Sequence, residues 1–387
     1  MQYPMIHTYS LGELYTERKE KGDPSLPILT VSIHAGVSEG ELDEDKLGKK
    51  VKRIADKTQY KTARKGDLVF NMMRAWQGAI GVVRSDGLVS PAYIVAKPNE
   101  KIWPEYMDYC MKTPRMIHAI HRQSYGVTDF RLRLYWDSFT PITCQLPPLP
   151  EQQKIAAILS TQDKVIELKE KLLAQKQQQK KYLMQQLLTG KKRLPGFDRK
   201  WNYVKANEIF KSIVDKSHDG KLEVLSSTQD KGIVPRSQVD IDIKYNENSL
   251  STYKKVCEGD FVISLRSFQG GIEYSNYAGI VSPAYTVLRA IVKIDNGYYK
   301  QFFKSSNYIK RLNVAVYGIR DGKQISYDDF GQIKIPVPPI EEQREVAKVL
   351  STADHEIDLL QKSIEAEKQK KKALMQLLLT GKVRVKI

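Results

Sequence analysis

The chain has 387 residues, 41% of them hydrophobic, and a formal net charge of +17. This length suits two or three domains, and the apolar content excludes a chain too polar to form packed cores. The positive charge is shared, at +4 for residues 1–146, +6 for 151–194, +4 for 195–341 and +3 for 342–387. Such a distribution suits a long polyanion, most simply nucleic acid, although solubility alone also explains it.

Composition also argues against a secreted or membrane protein. Cys110, Cys144 and Cys257 lie far apart without a C-x-x-C spacing, so neither a disulfide framework nor a zinc site is expected. The N-terminus lacks a basic-then-apolar signal, and no apolar run approaches 20 residues. We therefore expect a cytoplasmic protein without a membrane span.

The first segment, residues 1–146, predicts a mixed α/β domain. Short apolar runs are separated by Gly, Pro and Asp, a pattern typical of short strands joined by turns. A helical stretch is expected from about Pro104 to His121. The runs read LPILTVSI, GDLVFNMM, AIGVVR and AYIVAK.

The second segment, residues 147–194, predicts one long helix. Its Pro-rich entry is extended, because proline lacks a donor and restricts the residue before it. No Pro or Gly follows until Gly190, which stands where a helix often ends. Apolar residues spaced by three and four form a coiled-coil stripe that polar residues interrupt, and the apolar members are Ile155, Leu159, Ile166, Leu173, Leu183 and Leu187.

The third segment, residues 195–336, repeats the order of the first at lower identity and predicts a second α/β domain. The matching stretches share a frame while the offset between them drifts, so we place the insertions in loops. They are Lys65-Gly-Asp-Leu-Val-Phe with Glu258-Gly-Asp-Phe-Val-Ile, Arg74-Ala-Trp-Gln-Gly with Arg266-Ser-Phe-Gln-Gly, Ser90-Pro-Ala-Tyr with Ser282-Pro-Ala-Tyr, and Tyr125-Gly-Val with Tyr317-Gly-Ile.

The last segment, residues 337–387, repeats the long helix. It aligns with the first copy at a constant offset of 191 positions, with 23 identities in 45 aligned positions, so the chain is a tandem repeat. We predict that the two helices pair as an antiparallel coiled coil with a pseudo-two-fold axis. Glu367 and Lys371 interrupt the apolar stripe of this second helix.

The apolar members of the second stripe are Val346, Leu350, Ile357, Leu360, Ile364, Leu374 and Leu378. The polar tracts at 175–181 and 368–372 lie near the ends of the two stripes. We interpret them as solvated surface, or as contacts to a DNA backbone or a protein partner.

Several motifs together resemble those of the specificity (S) subunit of type I restriction-modification systems. They are the Pro-rich entry, the E-Q-x-x-[IV]-A-x-[IV]-L-S-T core, the L-L-T-G-K ending, and the G-D-[LF]-V and S-P-A-Y markers, each present twice in the same order. The resemblance implies two target recognition domains, each reading half of a split double-stranded DNA target, with a spacer set by the helices. It implies no catalytic centre in this chain. Two adenine-N6 methyltransferase subunits and ATP-driven restriction subunits are the implied partners, so S-adenosylmethionine, ATP and Mg are expected only there.

The first candidate DNA contacts are residues that both domains share. Arginine pairs well with guanine and glutamine with adenine, so these positions suit base reading. Their identity in both domains argues instead for phosphate contact, because different half-sites require different base-reading residues. The residues are Arg74, Trp76 and Gln77 in the first domain and Arg266, Phe268 and Gln269 in the second.

The second candidates follow the Tyr-Gly pairs and differ between the domains. Divergence within a matched frame is what two different half-sites require. The residues are Thr128, Arg131 and Arg133 in the first domain and Arg320, Lys323 and Gln324 in the second.

Two other classes of function remain as alternatives. The S-P-A-Y marker resembles the [DNS]-P-P-[YF] tetrapeptide of adenine methyltransferases, but it has Ala for the second Pro and no F-x-G-x-G loop precedes it. A turn at a strand entry is the simpler interpretation. No nucleotide-binding G-x-x-x-x-G-K-[ST] occurs, and His118 with His121 lacks the carboxylates of a metal site. The second alternative is a coiled-coil adaptor that binds proteins only.

Overall fold

The computed structural model describes residues 5–33, 36–40, 56–126, 131–239, 247–315 and 325–386. The chain divides into two units. Unit 1 consists of residues 1–169 and 363–387, and unit 2 of residues 170–362. Among the described helices, none has the length and apolarity needed to cross a membrane.

Unit 1 contains sheet domain 1, which comprises the described strands and helices that precede the first long helix. The strands are β1 (His7–Ser10), β2 (Tyr15–Glu17), β3 (Leu29–Ser32), β4 (Gly36–Glu39), β5 (Lys61–Ala63), β6 (Leu68–Asn71), β7 (Ile80–Val82), β8 (Gly87–Val89), β9 (Tyr93–Pro98) and β10 (Thr143–Leu146). The helices are α1 (Leu11–Leu14), α2 (Pro104–Met111), α3 (Pro114–Gln123) and α4 (Trp136–Phe139).

The main sheet of this domain has the antiparallel order β2-β9-β6-β7. Its side chains alternate between two cores, as the period of a strand requires. Leu68 and Phe70 of β6 enter the larger core with the helices, whereas Val69 enters the smaller core with β3. The strand pairs β1-β10, β3-β4 and β5-β8 surround this sheet.

The helical stretch expected from about Pro104 to His121 is two helices. α2 ends at Met111, and α3 begins at Pro114. The break has a local cause, because Pro114 has no N–H to continue a helix and the Thr113 side chain instead caps α3 by accepting from Met116 N.

Unit 2 contains sheet domain 2, which repeats this plan. Its strands are β11 (Asn202–Lys205), β12 (Phe210–Ile213), β13 (Leu225–Thr228), β14 (Gly232–Pro235), β15 (Lys254–Val256), β16 (Phe261–Ile263), β17 (Glu273–Tyr274), β18 (Gly279–Val281), β19 (Thr286–Ala290) and β20 (Lys334–Val337). The main sheet has the antiparallel order β12-β19-β16-β17. The other strands form the pairs β11-β20, β13-β14 and β15-β18. The mixed α/β fold predicted from the sequence is confirmed.

The two long helices have 39 residues each, so each repeat forms one long helix as predicted. They are α5 (Leu149–Leu187) and α11 (Ile340–Leu378). The shorter helices of sheet domain 2 lie between them in the chain, and they are α6 (Ala206–Ile209), α7 (Ser267–Gly270), α8 (Asn296–Phe303), α9 (Ser306–Ala315) and α10 (Tyr327–Gln332).

Each long helix ends at a left-handed glycine. Gly190 has a φ of 69° and Gly381 a φ of 70°. Lys192 N then donates to Gln186 O, and Val383 N donates to Leu377 O. These bonds satisfy carbonyls that the end of a helix would leave free, which explains the Thr-Gly-Lys ending of both repeats.

Within unit 1 the two long helices run antiparallel. The carboxylate of Asp163 on α5 pairs with Lys371 on α11 at 2.5 Å, and Lys169 pairs with Glu367 at 2.8 Å. Residue numbers therefore rise along one helix as they fall along the other. Gln162 Nε2 also donates to Glu367 Oε2 at 2.8 Å.

Within unit 2 the long helices are again antiparallel. Lys176 pairs with Glu356 at 2.8 Å, and Lys180 pairs with Asp354. The polar residues that interrupt one predicted stripe are therefore partners for residues of the other helix. Of the lysines in the two polar tracts, Lys176, Lys180 and Lys371 pair with carboxylates of the opposite helix and are therefore not simply solvated.

The predicted stripe residues are all shielded from solvent to some degree. The buried ones are Ile155, Leu159, Ile166, Leu187, Val346, Leu350, Ile364 and Leu378. The half-buried ones are Leu173, Leu183, Ile357, Leu360 and Leu374.

The Glu-Gln pair at the start of α5 joins the helix to sheet domain 1. Gln152 is buried, and its side chain accepts from Trp103 N at 2.9 Å and donates to Pro147 O at 2.9 Å. Glu151 accepts two bonds from Arg384, at 2.7 and 2.6 Å, which hold the pKa of its carboxyl below the ordinary value. The chain that follows α11 is thereby fixed to the start of α5.

The Glu-Gln pair at the start of α11 makes the same contacts in unit 2. Gln343 accepts from Asp295 N at 2.9 Å and donates to Pro338 O at 2.8 Å. Glu342 accepts from Arg193 at 2.5 and 2.6 Å and from Trp201 Nε1 at 2.8 Å. The E-Q part of the repeated motif is therefore a joint between a domain and both helices.

This joint gives a stability prediction. Because the Glu342 side chain is 1% exposed, Glu342→Ala leaves the guanidinium of Arg193 and the indole N–H of Trp201 without their acceptor. Loss of one partner of a buried pair costs about 3 kcal/mol, which we expect to see as a lower free energy of unfolding in urea.

The adjacent Glu341 supplies the matched control. Its pair with Arg344 is exposed, with 65% of the Glu341 side chain accessible. Glu341→Ala should therefore change the free energy of unfolding by less than about 0.5 kcal/mol. Equal effects of the two substitutions would show that the buried joint has no special role.

Candidate nucleic-acid interface

The Gly-Asp marker is structural in both sheet domains. Asp67 is 1% exposed and accepts from Arg64 N at 2.8 Å and from Arg18 Nε at 2.6 Å. Asp260 is 2% exposed and accepts from Cys257 N at 2.8 Å. In each case a buried carboxylate fixes the turn that leads into a central strand, β6 or β16.

In sheet domain 1 the guanidinium on Asp67 comes from Arg18, which directly follows β2, but in sheet domain 2 the guanidinium on Asp260 comes from a residue within a strand. Arg289 of β19 donates to both carboxylate oxygens, at 2.8 and 2.7 Å, and this bonding raises the pKa of Arg289. The marker therefore preserves a buried carboxylate whose cationic partner differs between the domains.

The S-P-A-Y marker forms the turn at the entry of β9 and of its counterpart β19. Tyr93 N donates to Ser90 O at 2.9 Å, and Tyr285 N donates to Ser282 O at 3.0 Å. A lysine fastens each turn, because Lys61 Nζ donates to Tyr93 O at 2.7 Å and Lys254 Nζ to Tyr285 O at 2.6 Å. This is the strand-entry turn that the sequence favoured over a catalytic tetrapeptide.

The shared Arg-Gln stretch of sheet domain 1 directly follows β6. We call residues 74–78 and 266–270 the Arg-Gln turns. Arg74 and Gln77 are exposed, whereas Trp76 is half-buried and its Nε1 donates to Met73 O at 3.1 Å. The Trp76 ring lies 5.5 Å from that of His121. Arg74 and Gln77 are thus available to a ligand, while Trp76 stabilises the turn.

The Arg-Gln turn lies beside the S-P-A-Y turn. Burial raises the pKa of Tyr93, and the nearby positive charge of Arg74 opposes this effect. In sheet domain 2, burial likewise raises the pKa of Tyr285, and Arg236 and Arg266 oppose it. The strands beside the two turns are also paired, with Asn71 opposite Tyr93 in sheet domain 1 and Ile263 opposite Thr286 in sheet domain 2, so two motifs that are separate in the sequence lie close together in each domain.

The second predicted stretch of sheet domain 1 reaches the same surface. Arg131 and Arg133 are exposed. Tyr125 and Arg133 exchange two backbone hydrogen bonds, of 3.1 and 3.0 Å, and Leu134 N donates to Met72 O at 2.9 Å. The structure thus brings Arg131 and Arg133 together with the segment that carries Arg74.

The glycine of the Tyr-Gly pair before this stretch is explained by the close approach of the Arg131 backbone to Gly126. A Cβ on Gly126 would lie 2.3 Å from Arg131 O, which leaves no space for any other residue. Thr128 lies outside the described residues.

Exposed apolar residues accompany these arginines, and they were not predicted from the sequence. Met73 is 47% exposed, Tyr125 is 59% exposed, and Leu265 takes the place of Met73 in sheet domain 2 at 51%. Aromatic faces beside cations suit nucleic acid bases. The available signal was an apolar residue directly before each Arg-Gln turn.

Sheet domain 2 presents the equivalent turn after β16. Arg266 and Gln269 are exposed, and Ser264 N donates to Ser267 Oγ at 2.8 Å to close the turn. The side chain of Phe268 and the whole of Arg320, Lys323 and Gln324 lie outside the described residues. The predicted contacts on both sheet domains stay predictions.

Within the described ranges, no cluster of three or more His, Cys, Asp and Glu side chains is arranged to hold a metal ion. His118 and His121 both lie on α3. The ring of His121 packs beside Trp76.

Comparison with known proteins agrees with this duplicated architecture. The family model for the type I restriction modification DNA specificity domain matches residues 12–177 and again residues 198–368. The chain is 26% identical over 410 residues to the putative type I restriction enzyme MjaX specificity subunit of Methanocaldococcus jannaschii, covering 96% of this chain and 90% of the relative. It is 27% identical over 329 residues to the MjaVIII specificity subunit of the same organism, covering 78% and 75%.

A solved structure shares the fold. The HsdS subunit from Thermoanaerobacter tengcongensis aligns with a TM-score of 0.54 at 21% identity, covering 99% of both chains. The family model matches once in each half of the chain, and the two matches together cover most of the sequence. The chain therefore belongs to the type I restriction-modification specificity-subunit family.

Proposed function

We propose that this protein is the sequence-reading subunit of a type I restriction-modification complex, with one half of a bipartite DNA target read by each sheet domain. The observation that carries the proposal is the exposed Arg-Gln turn, which occurs at the same place on the same framework in both domains. The net charge of +17 suits the DNA backbone.

The chain itself supplies recognition and assembly rather than catalysis in this proposal. Its partners are double-stranded DNA, two methyltransferase subunits and restriction subunits that move along DNA. S-adenosylmethionine, ATP and Mg bind to those partners, which carry the adenine methylation and the ATP-dependent cleavage. The complex works in the cytoplasm.

The two alternatives have less support. An adenine methyltransferase needs a catalytic tetrapeptide, but S-P-A-Y is fastened as a strand-entry turn by Lys61 and by Lys254. An adaptor that binds only proteins would not account for an exposed Arg-Gln turn at the same place in both sheet domains. Methyl transfer from S-adenosylmethionine by the purified chain alone would favour the first alternative, and binding without preference among duplexes, with partners present, would favour the second.

The Arg-Gln turns predict effects confined to one half-site. With methyltransferase subunits present, Arg74→Ala should alter selection from randomised duplexes in one half-site only, and Arg266→Ala in the other only. A base-contacting arginine contributes about 1–3 kcal/mol of discrimination, so its loss relaxes one base position. A phosphate-contacting arginine instead weakens binding uniformly and lowers the salt slope by about one.

Arg199→Ala is the control for these substitutions, because Arg199 is an exposed arginine in the segment between α5 and β11. It should leave both half-sites unchanged. If either Arg74→Ala or Arg266→Ala altered both half-sites, the assignment of one domain to one half-site would be wrong.

The long helices are proposed to set the spacer between the half-sites. Four residues inserted into both helices, after Lys169 and after Lys362, leave every ion pair described within each unit intact. One added turn lengthens a helix by about 6 Å, or roughly two base pairs of DNA. We therefore expect a preferred spacer longer by about one or two base pairs, with unchanged half-sites, in selection from randomised duplexes.

The matched control is a four-residue insertion after Gly196, which lies exposed outside the helices. It changes the chain length but not the helix length, so the spacer should stay as in the wild type. If the helix insertions left the spacer unchanged, the proposal that the long helices set the spacer would be wrong.

A further inference from the structure

A hairpin tip in sheet domain 2 lies against the Arg-Gln turn. The tip is Gln229–Lys231, which joins β13 to β14, and all three residues are exposed. A Cβ placed on Gly270 would lie 2.9 Å from Gln229 Cγ and 3.1 Å from its Nε2. The tip and the turn are therefore in direct contact.

One lysine fastens the tip to the turn. Lys304 follows α8, and its ammonium donates to Gln229 O at 3.1 Å, to Gly270 O at 3.0 Å and to Glu273 Oε1. An ammonium has three donors, so all three are used. Two of them join the backbone of the hairpin tip to that of the Arg-Gln turn.

The third donor anchors the lysine in the sheet. Glu273 lies on β17, and its side chain is 3% exposed, against 27% for that of Lys304. A charge pair this well shielded is screened little by salt and holds a defined geometry. The ammonium is thereby fixed beside the turn that carries Arg266 and Gln269.

Sheet domain 1 uses its equivalent lysine differently. Lys112 follows α2 as Lys304 follows α8, but it donates to Asp108 Oδ2, on its own helix, at 2.9 Å. Gly81 of β7 stands where sheet domain 2 has Glu273. The carboxylate that binds the lysine therefore lies on the helix in sheet domain 1 and on the sheet in sheet domain 2. Lys112 also lies near its own hairpin, since its Nζ is 3.2 Å from where a Cβ on Gly36 would be.

We propose that the hairpin tip Gln229–Lys231 is a second DNA-reading element of sheet domain 2, and that Lys304 is the positioning residue that holds it beside the Arg-Gln turn. The inference rests on the proposed function. Gln229 is exposed, and its amide carries both a donor and an acceptor, which suits an adenine edge in the major groove. Lys304 acts through the loops and does not itself contact DNA.

The test uses the full chain with methyltransferase subunits and randomised duplexes, and it compares base preferences in the two half-sites. Gln229→Ala should reduce discrimination roughly tenfold at one base position of the half-site that Arg266→Ala affects. Lys304→Met should reduce it at that position and at the positions that Arg266→Ala affects. The half-site of sheet domain 1 should keep its preferences in both variants.

Lys112→Met is the matched control, because it removes the equivalent lysine and should leave the half-site of sheet domain 2 unchanged. A merely structural Lys304 would lower the thermal midpoint and the overall affinity without altering any base preference, which would overturn the positioning role. If Lys304→Met does not fold, Gln229→Ala decides, since its side chain is exposed: unchanged preferences overturn the inference. A wild-type chain that selects no sequence would instead contradict the proposed function.

Discussion

The structure depends on a buried Glu-Gln joint at the start of each long helix. The glutamine is bound to the backbone of the adjoining sheet domain, and the glutamate is bound to an arginine that follows the end of the other long helix. Glu151, Gln152, Glu342 and Gln343 are each 1% exposed. Because a buried polar group is costly unless it is satisfied, these four side chains allow little variation in how domain and helices meet.

The sheet domains vary around this constant frame. The buried Asp67 and Asp260 occupy equivalent turns, yet their arginines come from different places in the fold, one directly after β2 and one within β19. Lys112 and Lys304 occupy equivalent helix ends, yet their carboxylates come from different elements. Ion pairs inside the domains can thus change partners while strand order is kept, so a surface that binds a ligand can diverge without loss of the fold.

The sequence predicted the long helices well because their limits have local causes. The proline pairs at 147–148 and 338–339 precede the helices as predicted, whereas Pro150, predicted to be extended, lies in the first turn of α5, where its missing N–H costs nothing. Gly190 and Gly381 allow the left-handed ending. The apolar stripes were also visible from spacing alone. Their polar interruptions were not understood, because the partner of Lys169 or Lys371 lies on the other helix and depends on the register of the pair.

The candidate interface was predictable only in part. Arg74 and Gln77 stood out as shared residues, but their proximity to Arg131 and Arg133 depends on the backbone bond from Leu134 to Met72. The hairpin tip at Gln229 gave no signal at all, because its role depends on Lys304, which is 75 positions away in the chain. Local patterns indicate elements, whereas contacts distant in sequence assemble the surface.

The central claim is that one chain reads two DNA half-sites at a fixed separation. It is tested most directly by single-molecule sequencing of modified adenines in DNA from cells that express this chain with its methyltransferase subunits. The account predicts one bipartite motif with a constant spacer and a modified adenine in each half. Modification at a single contiguous motif, or none that depends on this chain, would contradict it.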